Sequence, residues 1–173
     1  MIERIDPELR VGERETLTQF LDFLRASMVR LAEGLSQEQL ATTLPPSDLT
    51  IAGLLKHLAL VEDSWFQEDM LGRPIPAPFD AVDWAADPDW EFRTALDDRP
   101  EYLIGRYLEA CERSRQVVAE HDLSEPSVSV SPRTEPGTHY SLRWIVVHLI
   151  EETARHLGHA DLIRQAIDGA TDL

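Results

Sequence analysis

Four long segments of the chain repeat apolar residues at spacings of three and four, and irregular stretches separate them. This spacing predicts α-helices with one apolar face each. The segments cover approximately residues 12–35, 50–70, 101–121 and 141–167. Four amphipathic helices in a chain of 173 residues can bury their apolar faces against one another. The sequence therefore predicts an all-α fold, a four-helix bundle that occupies residues 1–173 as a single domain.

Two irregular stretches interrupt the helical pattern. The connection between the second and third helices, residues 72–100, is unusually long for a compact domain. We expect it to pack over the bundle because it carries several aromatic residues, namely Phe79, Trp84, Trp90 and Phe92. The second stretch, residues 124–140, is rich in serine, threonine, proline and glycine. Within it, residues 128–130 are compatible with either a short strand or an extended loop.

The charge balance argues against several classes of partner. The chain has 32 acidic and 16 basic residues, which give a formal net charge of −16 at pH 7. Such a surface repels phosphate groups, so we expect neither nucleic acid nor an anionic membrane as a partner. No apolar run approaches the roughly 18–20 residues that cross a bilayer, and the N-terminus lacks a signal-peptide pattern. With Cys111 as the only cysteine, these features favour a cytoplasmic protein.

The fourth predicted helix holds three of the six histidines within twelve residues. At about 100° per residue, Glu152 and His156 lie one turn apart, within or beside the apolar arc. His148 and His159 lie further toward the edge of this arc, and Arg155 points away from it. A carboxylate and an imidazole on an apolar face are costly to bury unless something satisfies them. A metal ion would do so.

A third ligand has to come from another helix. The second helix offers His57, on the flank of its apolar stripe. His57, Glu152 and His156 together supply two imidazoles and one carboxylate, which suits zinc or nickel and leaves a coordination position open. An open position is typical of a catalytic site. The alternative is that His57 is simply hydrogen-bonded and that Glu152 and His156 stabilise an exposed helix face.

Other polar and aromatic residues have simpler interpretations. We expect Glu62 and Asp63 on the solvated surface of the second helix. Cys111 is expected in the core rather than as a nucleophile. Trp65 and Trp144 are also expected in the core rather than at a binding surface.

Two sequence motifs resemble those of the DinB/YfiT-like metal-binding four-helix bundles. Residues 54–62, LLKHLALVE, followed by Trp65, resemble the motif of the second helix in that superfamily. Residues 148–159, HLIEETARHLGH, resemble the motif of its fourth helix. Both motifs occur in the same order and at a similar separation, and the likeness covers nearly the whole chain.

The resemblance also implies a ligand set. Many members of the superfamily bind a divalent metal through three histidines, one from the second helix and two from the fourth. His57 and His156 match two of these positions, and Glu152 stands at the third. This departure is similar to the His/Glu/His set of the mycothiol-dependent maleylpyruvate isomerases.

The members of known activity are largely isomerases and S-transferases that use mycothiol, bacillithiol or glutathione. The resemblance therefore implies a thiol S-transferase or thiol-dependent isomerase, in which a metal-bound thiol loses its proton and attacks an electrophile. His148 or His159 would relay protons. A carboxylate of the thiol or the substrate would bind an arginine, for which Arg143, Arg155 and Arg164 are the candidates.

Two rival hypotheses remain open. Metal-assisted hydrolysis would need a general base, and the sequence shows no inward acid besides Glu152. The other rival is a non-catalytic, stress-related metal-binding or scaffold protein. A fourth protein ligand, from His148 or His159, would favour that structural role. The broad helix faces also favour a homodimer, with Phe23 and Val29 as a second stripe on the first helix.

Overall fold

The computed structural model describes residues 3–132 and 135–171. This part of the chain is mostly helical, as predicted, and contains a small antiparallel sheet. The α-helices are α1 (Glu13–Ala32), α2 (Gln37–Leu40), α3 (Ile51–Asp63), α4 (Trp90–Thr94), α5 (Pro100–Glu120) and α6 (Leu142–Asp168). A π-helix (Ser64–Met70) continues α3, and 3₁₀ turns occur at Phe79–Ala81 and Ala95–Asp97. The sheet pairs β1 (Pro126–Val130) with β2 (His139–Ser141).

The ends of the long helices follow local sequence signals. Thr50 caps α3 by accepting a hydrogen bond from the amide of Gly53, and Ser141 caps α6 through the amide of Trp144. These caps satisfy backbone donors that have no partner within the helix. Gly169 follows α6 in the left-handed conformation, with a φ of 76°, which glycine adopts without steric cost.

The core brings α3 and α6 side by side. α3 packs mainly on α5, α1 packs mainly on α6, and α3 also contacts α6 directly. One apolar cluster joins these four helices through residues that include Leu31, Leu54, Leu58, Leu103, Tyr107 and Ile163. A second cluster joins the π-helix to α1, α5 and α6 through residues that include Leu21, Phe66, Val117, Ile145 and Leu149.

The second predicted helix changes its geometry before it ends. From Ser64 to Met70 the chain is π-helical, so its side chains no longer follow the 3.6-residue period. Trp65 is only half-buried there. The stretch that was compatible with a strand or a loop is a strand, β1, and it packs on the π-helix. Gly72 permits this approach, because its φ is 64° and a Cβ there would lie 2.9 Å from Cγ1 of Val128.

The long connection between α3 and α5 packs on the helices, as its aromatic residues predicted. Phe79 is buried in the core, and Trp84, Trp90 and Phe92 are partly buried and pack against it. Lys56 of α3 fixes this segment. Its ammonium group donates hydrogen bonds to Thr94 at 2.8 Å and to Asp98 at 2.6 Å, and it lies 4.4 Å from the centroid of a Trp90 ring.

Glu62 and Asp63 are buried, which contradicts the expectation of a solvated surface. Each is 1% exposed. Glu62 accepts two hydrogen bonds from Arg25 of α1, and Asp63 accepts two from Arg113 of α5. The expectation was wrong because it considered α3 alone, whereas the facing helices supply the partner charges. Cys111 is buried as predicted, and burial together with the Glu62 carboxylate raises the pKa of its thiol.

The Phe23 and Val29 stripe offers little surface for a second copy of the chain. Val29 is buried, and the guanidinium of Arg4 lies 5.1 Å from the centroid of the Phe23 ring. The homodimer stays a prediction. Among the described residues, none of the helices has both the length and the apolar character needed to cross a membrane.

The buried pair of Arg25 and Glu62 gives a test of the core. We expect Arg25→Met to lower the free energy of unfolding by about 3–5 kcal/mol, because it leaves a carboxylate buried without its charge partner. The double variant Arg25→Met/Glu62→Leu should recover much of this loss. Urea denaturation measures both, with the exposed Glu112→Gln as the control. A loss below about 1 kcal/mol in Arg25→Met would show that the Glu62 carboxylate does not depend on Arg25 for its burial.

Candidate metal centre

Three side chains from α3 and α6 meet where these helices touch. One potential ligand atom each from His57, Glu152 and His156 lies within 4.8 Å of the others. Oε1 of Glu152 is 3.1 Å from Nε2 of His156 and 3.5 Å from Nε2 of His57. Two ligands of one tetrahedral zinc ion, each about 2.1 Å from it, lie about 3.4 Å apart. The observed separations therefore fit a shared ion.

Glu91, from the long connection, contacts the other nitrogen of His57. Oε1 of Glu91 is 3.0 Å from Nδ1 of His57. Since a carboxylate oxygen accepts, Nδ1 of His57 carries a ring hydrogen, and Nε2 is the nitrogen that faces Glu152. This nitrogen and the facing carboxylate attract each other only when a proton or a cation lies between them. The donor set therefore fits a metal ion.

The charge states of the other two residues also suit a metal. Burial and the neighbouring His57 lower the pKa of His156, which keeps its imidazole neutral near pH 7. Burial by itself raises the pKa of Glu152, but His156 and the hydrogen bonds from both imidazoles lower it overall. Neutral imidazole and ionised carboxylate are the forms that bind a divalent cation.

Among the residues that the structure describes, this group contains three potential ligands. Within residues 3–132 and 135–171, no other histidine, cysteine, aspartate or glutamate joins His57, Glu152 and His156 as a potential ligand. His148 and His159 therefore do not provide the fourth ligand that a closed structural site would need. Three protein ligands would leave at least one position open on a four-coordinate ion.

His148 and His159 lie in different surroundings. Nδ1 of His159 is 3.4 Å from Nδ1 of His156, on the side of that ring away from Glu152. His148 stacks on Trp144 with ring centroids 5.2 Å apart and meets Trp65 edge-on at 4.7 Å. His159 thus adjoins one of the three potential ligands, whereas His148 belongs to an aromatic wall.

This aromatic wall borders a cleft of about 1100 Å³ that reaches Glu152. The π-helix, the hairpin and α6 form the cleft, and its lining includes Trp65, Tyr140, Trp144 and His148. Trp144 is 46% exposed, so the expectation that it lies in the core was wrong. The helical period of α6 could not show that the π-helix and β2 leave this space open.

The structure separates the three candidate arginines. Arg155 lines the cleft, where it pairs with Glu151. Arg143 lies outside the cleft lining and pairs with Glu13. Arg164 donates to the backbone carbonyl of Leu31 at the far end of α6. Arg155 is therefore the candidate that a molecule in the cleft can reach.

Sequence reasoning missed Glu91. The expectation that Glu152 is the sole inward acid was wrong, because Glu91 lies in a segment without helical periodicity. The signal that could have identified it is its position between two aromatic residues of the connection, Trp90 and Phe92. Phe92 stacks on His57, with ring centroids 4.9 Å apart, so an acid next to Phe92 lies close to the site.

Comparison with known proteins decides the family. A family model described as Mycothiol-S-transferase matches residues 16–169. The chain belongs to this family. Because the family is DinB-like, the resemblance of the two helical motifs is confirmed. The comparison with curated proteins gave no match. The matched residues include His57, Glu91, Glu152 and His156.

The lowered pKa of His156 gives a test in the metal-free protein. Its folded-state pKa lies below the ordinary value of 6.5, so neutral His156 contributes stability above that pH. This contribution is lost as the pH falls through the folded-state pKa. An NMR titration of the ring resonances, assigned by their loss in His156→Gln, should give a midpoint below pH 6.5. A midpoint at or above 6.5 would contradict the burial of this imidazole.

Proposed function

We propose that this protein is a divalent-metal-dependent enzyme that acts on mycothiol or a similar low-molecular-weight thiol, as an S-transferase or a thiol-dependent isomerase. Membership of the mycothiol S-transferase family supports the class of thiol. It also supports a single DinB-like domain in which α1, α3, α5 and α6 form a four-helix bundle. The observation that carries the metal dependence is the convergence of His57, Glu152 and His156 beside an open cleft.

In this proposal, His57, Glu152 and His156 hold the ion, and zinc or nickel suits two imidazoles and one carboxylate. A bound divalent ion would lower the pKa of a thiol next to it, so that the nucleophilic thiolate is present at neutral pH. Glu152 forms part of both the ligand group and the cleft lining. The thiol and the electrophile would therefore meet at the inner end of the cleft.

The cleft residues have distinct roles in this proposal. His148 lies in the wall and can hold or transfer a proton to a substrate there. Arg155, at the rim, can bind a carboxylate of the thiol or the electrophile. The rings of Trp65, Tyr140 and Trp144 shield the reacting groups from water. His159 adjoins His156 rather than the cleft wall, which favours a role in holding that imidazole.

The rival functions find less support in the geometry. For metal-assisted hydrolysis, Glu91 is a further acid close to the group, but it contacts Nδ1 of His57 and is not part of the cleft lining, where it could act as a base. For a scaffold with a structural metal, the group of three potential ligands lacks a fourth protein ligand among the described residues. The group of three potential ligands therefore favours an open site over a closed structural one.

Metal analysis tests the proposal directly. Protein purified without an affinity tag or a chelator should contain near-stoichiometric zinc or nickel. His57→Ala, Glu152→Ala and His156→Ala should each lose the metal while circular dichroism still shows a helical fold. His121→Ala removes a histidine that pairs with Glu125 at the end of α5, and it should keep the metal. A wild-type protein that neither contains metal nor takes it up on reconstitution would refute the metal dependence.

His148 gives a test of the chemistry that is separate from metal binding. If it transfers a proton, His148→Gln should lower kcat by about 10²-fold or more, with metal content unchanged. The assay follows thiol consumption against a panel of electrophiles. Val147→Ala, an exposed neighbour outside the cleft lining, is the control. Full activity in His148→Gln would exclude this role.

A further inference from the structure

We infer that Glu91 is a positioning residue for the metal centre, because its carboxylate fixes the tautomer and the orientation of His57. The long connection between α3 and α5 thereby becomes part of the site rather than a loop that covers it. The inference rests on the metal dependence proposed above. It concerns a residue outside the three potential ligands and outside both helical motifs.

Burial makes the carboxylate of Glu91 unusual. The residue is 4% exposed, and its partner is Nδ1 of His57. Within the described residues, Oε2 of Glu91 is buried and has no hydrogen-bond partner. The other two buried acids that face a helix, Glu62 and Asp63, each bind an arginine through both oxygens. Glu91 has no arginine partner among the described residues, and only its Oε1 is hydrogen-bonded, although burying a carboxylate is costly.

The contact with His57 accounts for the presence of this carboxylate. A carboxylate that accepts the Nδ1 hydrogen leaves Nε2 as the ligand atom and increases its basicity. Nε2 of His57 is the atom that lies 3.5 Å from Oε1 of Glu152. The two nitrogens of one ring thus face two carboxylates. Binding of a cation at Nε2 would strengthen the hydrogen bond from Nδ1 to Glu91, which offsets the cost of its burial.

Residues on both sides of Glu91 hold it in place. Before it, Trp90 lies under the ammonium group of Lys56. After it, Phe92 stacks on the His57 ring. Gly53 of α3 makes room for Phe92, because a Cβ at this position would lie 2.9 Å from Cδ1 of the Phe92 ring. Contacts from α3 therefore fix the position of α4, and α4 in turn fixes Glu91 against His57.

The first test measures the tautomer of His57 in metal-free protein. Nitrogen-15 NMR of the histidine rings should show hydrogen at Nδ1 of His57 in the wild type. Glu91→Met removes the acceptor but keeps a side chain of similar length in an apolar environment, so this preference should be lost. Glu91→Gln retains an oxygen that accepts the hydrogen bond and should restore it. The exposed Asp97→Asn removes an acid from the same connection and should behave like the wild type.

The second test measures zinc affinity by competition with a chelator. Loss of an outer partner of a ligating histidine typically weakens metal binding by about 10–100-fold, and we expect this loss in Glu91→Met. Glu91→Gln should fall between Glu91→Met and the wild type, and Asp97→Asn should match the wild type. Urea denaturation of the metal-free proteins should show that Glu91→Met is at least as stable as the wild type, because it removes a buried carboxylate with one oxygen unpaired.

Two results would overturn the inference. One is a Glu91→Met protein with the wild-type His57 tautomer and the wild-type zinc affinity. The other is a Glu91→Met chain that no longer folds, because Glu91 would then be a structural residue. If the wild type binds no zinc, the proposed function fails, but the tautomer of the metal-free protein still decides whether Glu91 orients His57. The two failures are therefore distinguishable.

Discussion

The central constraint in this structure is that two imidazole nitrogens and a carboxylate oxygen face one another within 4.8 Å. His57 and His156 have their other ring nitrogen in contact with Glu91 and His159, respectively. Such a group is favourable when a cation lies among the three atoms and costly otherwise. The helix contact between α3 and α6 fixes the two sides of this group, and the apolar core in turn fixes that contact.

The two irregular parts of the chain complete the site from opposite directions. The connection between α3 and α5 contacts His57 at Nδ1, the ring nitrogen that does not face Glu152. Lys56, the preceding residue of α3, binds Asp98 of the same connection. The hairpin and the π-helix form the cleft on the side where Glu152 is accessible. The long helices thus provide the three potential ligands, while the irregular segments contact one of them and border the cleft.

The sequence predicted the long helices well because their apolar periods and caps are local signals. Thr50, Ser141 and Gly169 lie at the helix ends where those signals place them. His57, Glu152 and His156 could be selected because helical geometry relates residues on one face, and the family motifs relate the two helices. Whether they bind a metal remains a prediction.

Features that depend on contacts between elements were not predictable in this way. Glu62 and Asp63 gain their arginine partners from α1 and α5, which a helical wheel of α3 does not show. Glu91 lies in a segment without a period, and its role depends on how α4 packs against His57. The exposed face of Trp144 depends on the π-helical turn and on β2, because together they leave the cleft open. In each case, the missing information is the position of a neighbouring element.

Anomalous scattering from crystals of the metal-loaded protein tests the central claim most directly. Data collected on both sides of the absorption edge of the bound metal would locate the ion and identify it. We predict one peak about 2.0–2.2 Å from Nε2 of His57, Nε2 of His156 and a carboxylate oxygen of Glu152, with a further position open to the cleft. A peak elsewhere, or a site closed by a fourth protein ligand, would contradict an open metal site at these three residues.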